Sequence, residues 1–295
     1  MASFRRPAGL ARLLESLSRQ KLPPGVELEV IVVDDDPEGS AGPVARRFAG
    51  AGPRLWYLAH GRRNLASARN RGVEAARGRW LAFVDDDEVA REDWLSAYWE
   101  RAVEGRADGW LGPVLPRLEC AGPAWLDLES FYARPRHPTG TPVPRAELRT
   151  SNAFLRRALF AERRFDPAFG GPRHFGEDSD LFGRLADAGA RFAWCDEAIV
   201  EEWLPPERHR LAWLARRAFS GGTVFTRIAL RGRPRRAALL HGARSLLLLA
   251  AGALLLPGSL ALGRRRAARL LLRVCVQAGH LAGLLARMAA APPPS

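Results

Sequence analysis

Two stretches decide the fold: Val30-Ile31-Val32-Val33-Asp34-Asp35-Asp36 and Trp80-Leu81-Ala82-Phe83-Val84-Asp85-Asp86-Asp87. Each is a short apolar run closed by three aspartates. Uninterrupted apolar runs of four or five residues read as strands buried on both faces, which is the habit of parallel sheets. Both acidic triplets then fall at strand ends, where open α/β sheets place their ligand crevice. Three adjacent carboxylates repel one another, and a cation or a donor-rich ligand offsets that repulsion, so a metal-assisted site is the leading reading.

Working outward, Leu10, Leu13, Leu14 and Leu17 form a helical stripe after Pro7, and a short helix is expected around Val44 to Phe48. A strand is expected over residues 54–58, a helix over 65–77 ending at Gly78, a further helix from Trp94 to about Val103, and a strand over 109–115. Alternation of this kind predicts a mostly parallel sheet covered on both faces. Residues 116–149 are rich in Pro, Arg and aromatic residues without periodicity and read as a long functional loop or small insertion. A second block follows: Thr150-Ser151-Asn152-Ala153-Phe154, Phe165-Asp166-Pro167, and Gly176-Glu177-Asp178-Ser179-Asp180-Leu181 opening a helix. Its first-turn acids suit the helix dipole and are expected to point toward the crevice.

Charge is divided unevenly. Of 45 basic residues, sixteen arginines lie in 208–295, which contains no Asp or Glu, leaving 29 basic against 32 acidic residues before it. A basic, Leu/Ala-rich tail on a slightly acidic body points to an anionic surface as partner. Nucleic acid is not expected, because the tail has no aromatic residue after Phe225 to interleave with its arginines. Cys120, Cys195 and Cys275 have no metal-ligand or CxxC spacing and read as structural thiols of a reducing compartment. Phe4-Arg5-Arg6-Pro7 interrupts any apolar leader.

Competing readings of the acids fail on spacing. An EF-hand starting at Asp85 needs Gly and a carboxylate where the chain has Ala90 and Ser96, and no GxGxxG follows the first strand. His60, His137, His174 and His209 show no metal spacing among themselves, although His174 beside Gly176 is a candidate for an acceptor cleft.

In order along the chain, Phe4-Arg5-Arg6-Pro7, Val33-Asp34-Asp35-Asp36, Ala68-Arg69-Asn70-Arg71-Gly72, Phe83-Val84-Asp85-Asp86-Asp87-Glu88 and Gly176-Glu177-Asp178 resemble family 2 glycosyltransferases of the GT-A fold. The likeness is to the bacterial exopolysaccharide branch with succinoglycan-type glucosyltransferases, and it runs from about residue 4 to 220. It implies an α/β nucleotide-sugar-binding domain over residues 1–205, followed here by a basic helical linker (206–236) and a membrane-associating helical region (237–295). It further implies that Asp34, Asp35 and Asp36 accept hydrogen bonds from the base and ribose of a nucleoside-diphosphate sugar, a UDP-sugar being favoured. Arg69 and Asn70 would brace the nucleotide side. Asp85 and Asp87 would be the outer acids of a DxD motif holding Mg²⁺ or Mn²⁺, with Asp86 beside them on the donor. Asp178 would be the general base toward a lipid-linked or glycan acceptor, oriented with help from Glu177.

The chemistry asks for these residue types independently. Cleaving the anomeric bond builds charge on the leaving diphosphate, which a hard dication on carboxylates offsets, and attack from the opposite face needs a base. One displacement inverts the anomeric carbon. Two departures from the family stand out. Only Met1-Ala2-Ser3 precede Phe4, where a buried first strand is usual, so either the reading frame begins upstream or a core strand is lacking. The QxxRW signature of processive synthases is absent, with Arg208, Arg216 and Arg217 the basic residues near its place, which favours single addition.

Residues 245–263 are nineteen uncharged residues interrupted by Pro257 and flanked by arginines. A full span would export Arg264-Arg265-Arg266 against the positive-inside tendency, so a re-entrant or interfacial hairpin on the cytoplasmic face, against anionic inner-membrane lipids, is expected. Arg269, Arg273, Gln277, His280 and Arg287 form one polar stripe suited to the head-group plane. Two alternatives remain at this point: a catalytically impaired protein that binds anionic lipid or nucleic acid, and a nucleotidyltransferase of similar fold.

Overall fold

The computed structural model describes residues 1–50, 52–171 and 176–289; His174 lies outside them. The chain divides into two compact units, Met1–Arg117 with Ala133–Trp203, and Leu118–Tyr132 with Leu204–Ser295.

In the first unit β1 (Ala2–Ser3), β2 (Glu29–Asp34) and β3 (Arg54–Ala59) form a parallel ladder in the order β1-β2-β3. β1 pairs through Ala2 with Val33 and Ser3 with Asp34. α1 (Pro7–Ser18) starts with its proline in the first turn, where no N–H is needed, and buries the expected Leu10, Leu13, Leu14 and Leu17. α2 (Gly42–Phe48) follows β2, and α3 (Leu65–Ala75) follows β3, capped by the Asn64 side chain accepting from the Ser67 N–H at 2.9 Å.

A second ladder, β4-β8-β6-β9, comprises β4 (Trp80–Phe83), β6 (Gly109–Leu111), β8 (Ala153–Arg156) and β9 (Phe192–Trp194). β8 runs antiparallel to both neighbours, whereas β6 and β9 are parallel, so the parallel character is concentrated in the first three strands. β5 (Glu88–Ala90), β7 (Val114–Leu118) and β10 (Val200–Leu204) form a third ladder in the order β5-β10-β7. The single strand expected over 109–115 is two, because Pro113 has no N–H to continue a ladder and Gly112 has no room for a side chain: a Cβ there would lie 2.3 Å from the Ala198 carbonyl oxygen. α4 (Trp94–Val103) and α6 (Glu177–Asp187) complete this unit. One apolar core joins α1, β2 and α4 around Trp94, Tyr98 and Trp110, and another gathers Phe160, Phe165, Leu181, Phe182 and Trp194.

The second unit holds α5 (Leu128–Phe131), α7 (Leu211–Ala229), α8 (Arg235–Ala261) and α9 (Arg264–Ala289). α8 continues through Pro257, which sits in its last turns, where little helix remains downstream to be disrupted. Gly263, at φ 103°, supplies the left-handed turn from which α9 returns along α8. Part of the polar stripe of α9 is engaged inside this unit: Arg269, with the neighbouring Arg265, reaches Asp127, and Arg287 donates to the Leu230 and Arg233 carbonyls. The face left outward is apolar instead, with Leu239, Leu240, Leu247 and Leu254 each at least 70% exposed. Both α8 and α9 are long and apolar enough to cross a membrane.

Candidate active site

The expected acids come together at the ends of β2 and β4 and the start of α6, and each has a distinct environment. Asp34 is fully buried and spent on its own loop, accepting from the Ala41 N–H at 2.7 Å, the Tyr57 hydroxyl at 3.0 Å and the Asp36 N–H at 3.1 Å. Asp36 accepts from the Glu38 N–H at 3.3 Å and Arg5 Nε at 3.2 Å. Burial opposes its charge, but hydrogen bonds from Ser40, Glu38 and Arg5 outweigh it and hold the carboxyl below its ordinary range. Asp35 differs: its buried Oδ1 has no hydrogen-bond partner, its carboxyl is raised by burial, and His60 Nε2 stands 4.0 Å away. Within the first triplet, then, the unspent acceptor belongs to Asp35.

In the second triplet Asp85 sits at the end of β4 between Arg69 Nη2 at 3.2 Å and the Ser151 hydroxyl at 3.0 Å. Burial pushes its carboxyl up, yet Arg69, Ser151, Arg134 and Arg6 together bring it below the usual value, so it is ionised. Asp86 turns inward to the Ser3 hydroxyl at 2.9 Å and Arg6 Nη1 at 3.0 Å, and its carboxyl is raised, chiefly by burial. Asp87 faces the same Arg6 nitrogen at 2.8 Å.

Arg69 links the two sides of the site. Its Nη1 pairs with Glu177 while Nη2 pairs with Asp85, and these acids together with Asp178 keep it firmly charged despite its burial. Glu177 is buried, also accepts from the Gly176 N–H at 3.1 Å, and has its carboxyl raised by burial. Asp178 is more open and accepts from the Ser179 N–H at 2.7 Å in the first turn of α6. Gly176, at φ 104°, allows the chain to enter that helix in a left-handed conformation. Asn70, expected to brace the nucleotide, instead clamps the backbone of Phe165, donating to its carbonyl at 2.8 Å and accepting its N–H at 2.9 Å.

Several partners were not singled out in the sequence. Glu88 is buried and well above its ordinary pKa through desolvation and the charge of Asp85. Ser151 Oγ lies 3.0 Å from both Asp85 and Glu88. The Ser151 hydroxyl can donate to either carboxylate but to one at a time, so it bridges Asp85 and Glu88. Asn152 holds Ser151 in place at φ 55°, its side chain bonded to Trp94 Nε1 at 2.7 Å and to the Pro113 and Ala198 carbonyls at 2.8 and 2.7 Å. The DDDE run was the available signal for Glu88, whereas Ser151 is 66 residues from Asp85 and only the fold unites them.

Among the described residues no group of three His, Cys, Asp or Glu side chains converges as a metal cage. Asp85 and Asp87 each face a guanidinium, that of Arg69 and that of Arg6 respectively, and their carboxylates are of the hard oxygen type that a hard dication prefers.

The description Glycosyl transferase family 2 matches residues 1–164, and the chain belongs to that family: it is a glycosyltransferase of the GT-A fold. It is 35% identical to the succinoglycan biosynthesis protein ExoM of Rhizobium meliloti (strain 1021), covering 97% of this chain and 91% of that protein. The pre-mycofactocin glycosyltransferase of Mycobacterium tuberculosis (strain ATCC 25618 / H37Rv) is 33% identical over 74% of this chain and 44% of its own length. Among solved structures, S. aureus TarS 1-349 in complex with UDP superposes with a TM-score of 0.56 at 16% identity, covering 94% of this chain and 88% of that one. TarS 1-349 in complex with UDP-GlcNAc does so with a TM-score of 0.55 at 19% identity over 69% and 57%. These structural likenesses carry the fold.

Proposed function

We propose that the protein transfers one sugar, with inversion, from a nucleoside-diphosphate sugar to a hydroxyl of a lipid-linked or glycan acceptor in cell-surface polysaccharide synthesis. The observation that carries this reading is Arg69, one guanidinium bonded to both Asp85 and Glu177 and close to Asp178. Donor-side and acceptor-side acids are thereby fixed in one cluster, as a single displacement requires. The complexes of TarS with UDP and UDP-GlcNAc favour a UDP-sugar. The relation to a succinoglycan biosynthesis protein favours a polysaccharide-building acceptor.

In this mechanism Asp35, with its unpartnered Oδ1, receives the donor's base or ribose, while Asp34 and Asp36 shape the loop around it. Asp85 and Asp87 would hold Mg²⁺ or Mn²⁺, which supplies charge neutralisation of the departing diphosphate. The Ser151 hydroxyl bond favours the ionised form of Asp85, and Glu88, accepting the Asp85 N–H, helps orient it. Asp178 takes the acceptor proton, and Glu177, anchored by Arg69, fixes the helix start on which Asp178 sits. The apolar outer face of α8 and α9 and the arginines of the tail attach the enzyme to the cytoplasmic face of the membrane.

The test is a panel of nucleotide sugars with Mn²⁺, read as release of nucleoside diphosphate. Release of pyrophosphate would make the protein a nucleotidyltransferase instead. Flotation with anionic vesicles, compared with a chain ending before Arg236, tests attachment; equal flotation of both would sink it.

A further inference from the structure

Arg134 and Arg149 converge on the acid cluster around Asp85. Arg134 donates through Nη2 to Glu202 at 3.1 Å, and Glu202 lies directly opposite Glu88 in the β10–β5 ladder. Arg149 shortly precedes Ser151, whose hydroxyl is 3.0 Å from both Asp85 and Glu88. Both guanidinium groups interact with Glu88, and that of Arg134 also acts on Asp85.

Their hydrogen-bonding capacity is largely unmet. Arg149 donates from Nη1 to the Glu147 carbonyl at 3.0 Å, while its Nε and Nη2 are buried without a partner. Arg134 Nη1 is buried and unpartnered as well. The acids within reach are already engaged, Glu202 by Arg134 and Glu147 by His137 Nε2 at 2.9 Å. Burial and the neighbouring charge of Arg134 bring the Arg149 guanidinium down to about 10, so the fold holds two like charges together at a cost. Guanidinium nitrogens with no protein acceptor match a ligand whose oxygens only accept, and the planar fork fits a phosphoryl group.

We propose that Arg134 and Arg149 form a phosphate-binding corner of the active site, which takes the oxygens of a phosphoryl group lying beside Asp85. The assignment builds on the reading of this site as one for a nucleoside-diphosphate sugar. The phosphoryl group has two sources, the diphosphate that leaves the donor and a phosphate carried by the acceptor. On the donor side the anomeric C–O bond breaks with its electron pair going to the phosphate oxygen. The acceptor oxygen bonds the anomeric carbon, and its proton goes to Asp178. Both guanidinium groups stay protonated and hold the new negative charge, which a fixed buried cation does strongly.

Calorimetric titrations of the full chain in Mg²⁺ with UDP and with inorganic pyrophosphate, and of the UDP-saturated chain with farnesyl phosphate, test this. In Arg149→Gln and Arg134→Gln the affinity for phosphate is expected to fall at least about tenfold, the worth of a hydrogen bond to a charged group. The Tm of Arg149→Gln without ligand should be unchanged or higher, since its buried donors have no protein partner to lose. Arg19→Gln, the same charge change on the exposed end of α1, should leave binding as it was. A fall for both UDP and pyrophosphate assigns the corner to the leaving diphosphate; unchanged UDP with a fall for farnesyl phosphate assigns it to the acceptor. Unchanged affinity for all three probes in both variants would overturn the proposal, and a lowered Tm alongside would make the pair structural. A parent chain that binds pyrophosphate but not UDP, with pyrophosphate lost in the variants, would remove the nucleotide-sugar reading and leave the corner standing.

Discussion

Arg69 and Asp85 stand 3.2 Å apart between Nη2 and Oδ1, a charge-assisted pair that ties the start of α3 to the end of β4. Because the other end of the guanidinium holds buried Glu177, loss of Arg69 strips that acid of its ion pair and leaves Asp85 to Ser151 and the charges of Arg134 and Arg6. Arg69→Met is expected to cost about 3–5 kcal/mol, the usual penalty for stripping one partner from a buried pair. Urea unfolding measures it, and a change below about 1 kcal/mol would show the cluster to be solvated.

Asp87→Ala should abolish Mn²⁺-dependent binding of nucleoside diphosphate, since it removes a charged oxygen ligand that water replaces poorly. Calorimetric titration with and without Mn²⁺ reads this directly. Unchanged metal-dependent affinity would remove Asp87 from the site.

Asp178→Asn should keep donor binding and lower transfer by roughly 10² to 10⁴, the range of a general base. The side chain faces the Ser179 N–H, which Asn Oδ1 can still accept, so the fold is expected to survive. Transfer at near the original rate would place the base elsewhere.

The buried Met1 amine should contribute stability that rises with pH between about 6 and 8, opposed by Glu88, whose raised pKa gives a slope of the other sign. The folded amine has its pKa lowered to about 6 from 8.0 by burial, so in this window the unfolded chain binds the proton and the folded chain has released it. Stability is therefore gained as pH climbs through the window and absent below it. The lowered pKa of buried His60 adds a slope of the same sign near its lower edge. Thermal unfolding of the Nα-acetylated chain, which retains the histidine and carboxyl contributions and lacks only the amine's, isolates the amine by difference; identical slopes would show that the amine is solvated.

Gly279→Leu should separate α7 from α9. A Cβ at position 279 would lie 2.0 Å from the Phe219 carbonyl oxygen, and those at Gly222 and Gly283 would meet backbone oxygens at 2.3 and 2.7 Å. Helices this close depend on small residues, and overpacking costs about 1–3 kcal/mol or more. Limited proteolysis in detergent should cut the variant between α7 and α8 much faster than the parent chain.

Local sequence by itself determined a good deal of this protein. Apolar runs ending in acids fixed β2 and β4, because a strand buried on both faces admits no other pattern, and the Leu10, Leu13, Leu14, Leu17 spacing fixed the buried face of α1. Gly176 and the acids after it marked the start of α6. What those acids do was decided by tertiary contacts. Asp34, Asp35 and Asp36 are equivalent on paper, and only the folded loop spends two of them on its own N–H groups while leaving Asp35 Oδ1 open. Asn70 belongs to the same short motif as Arg69, yet one clamps Phe165 and the other joins Asp85 to Glu177, because adjacent helical residues point in different directions. The arginine stripe of α9 has the spacing of a surface helix, and Asp127 and the Leu230 and Arg233 carbonyls claim much of it. Burial and pairing across long sequence separations set these outcomes, and neither is written in local spacing.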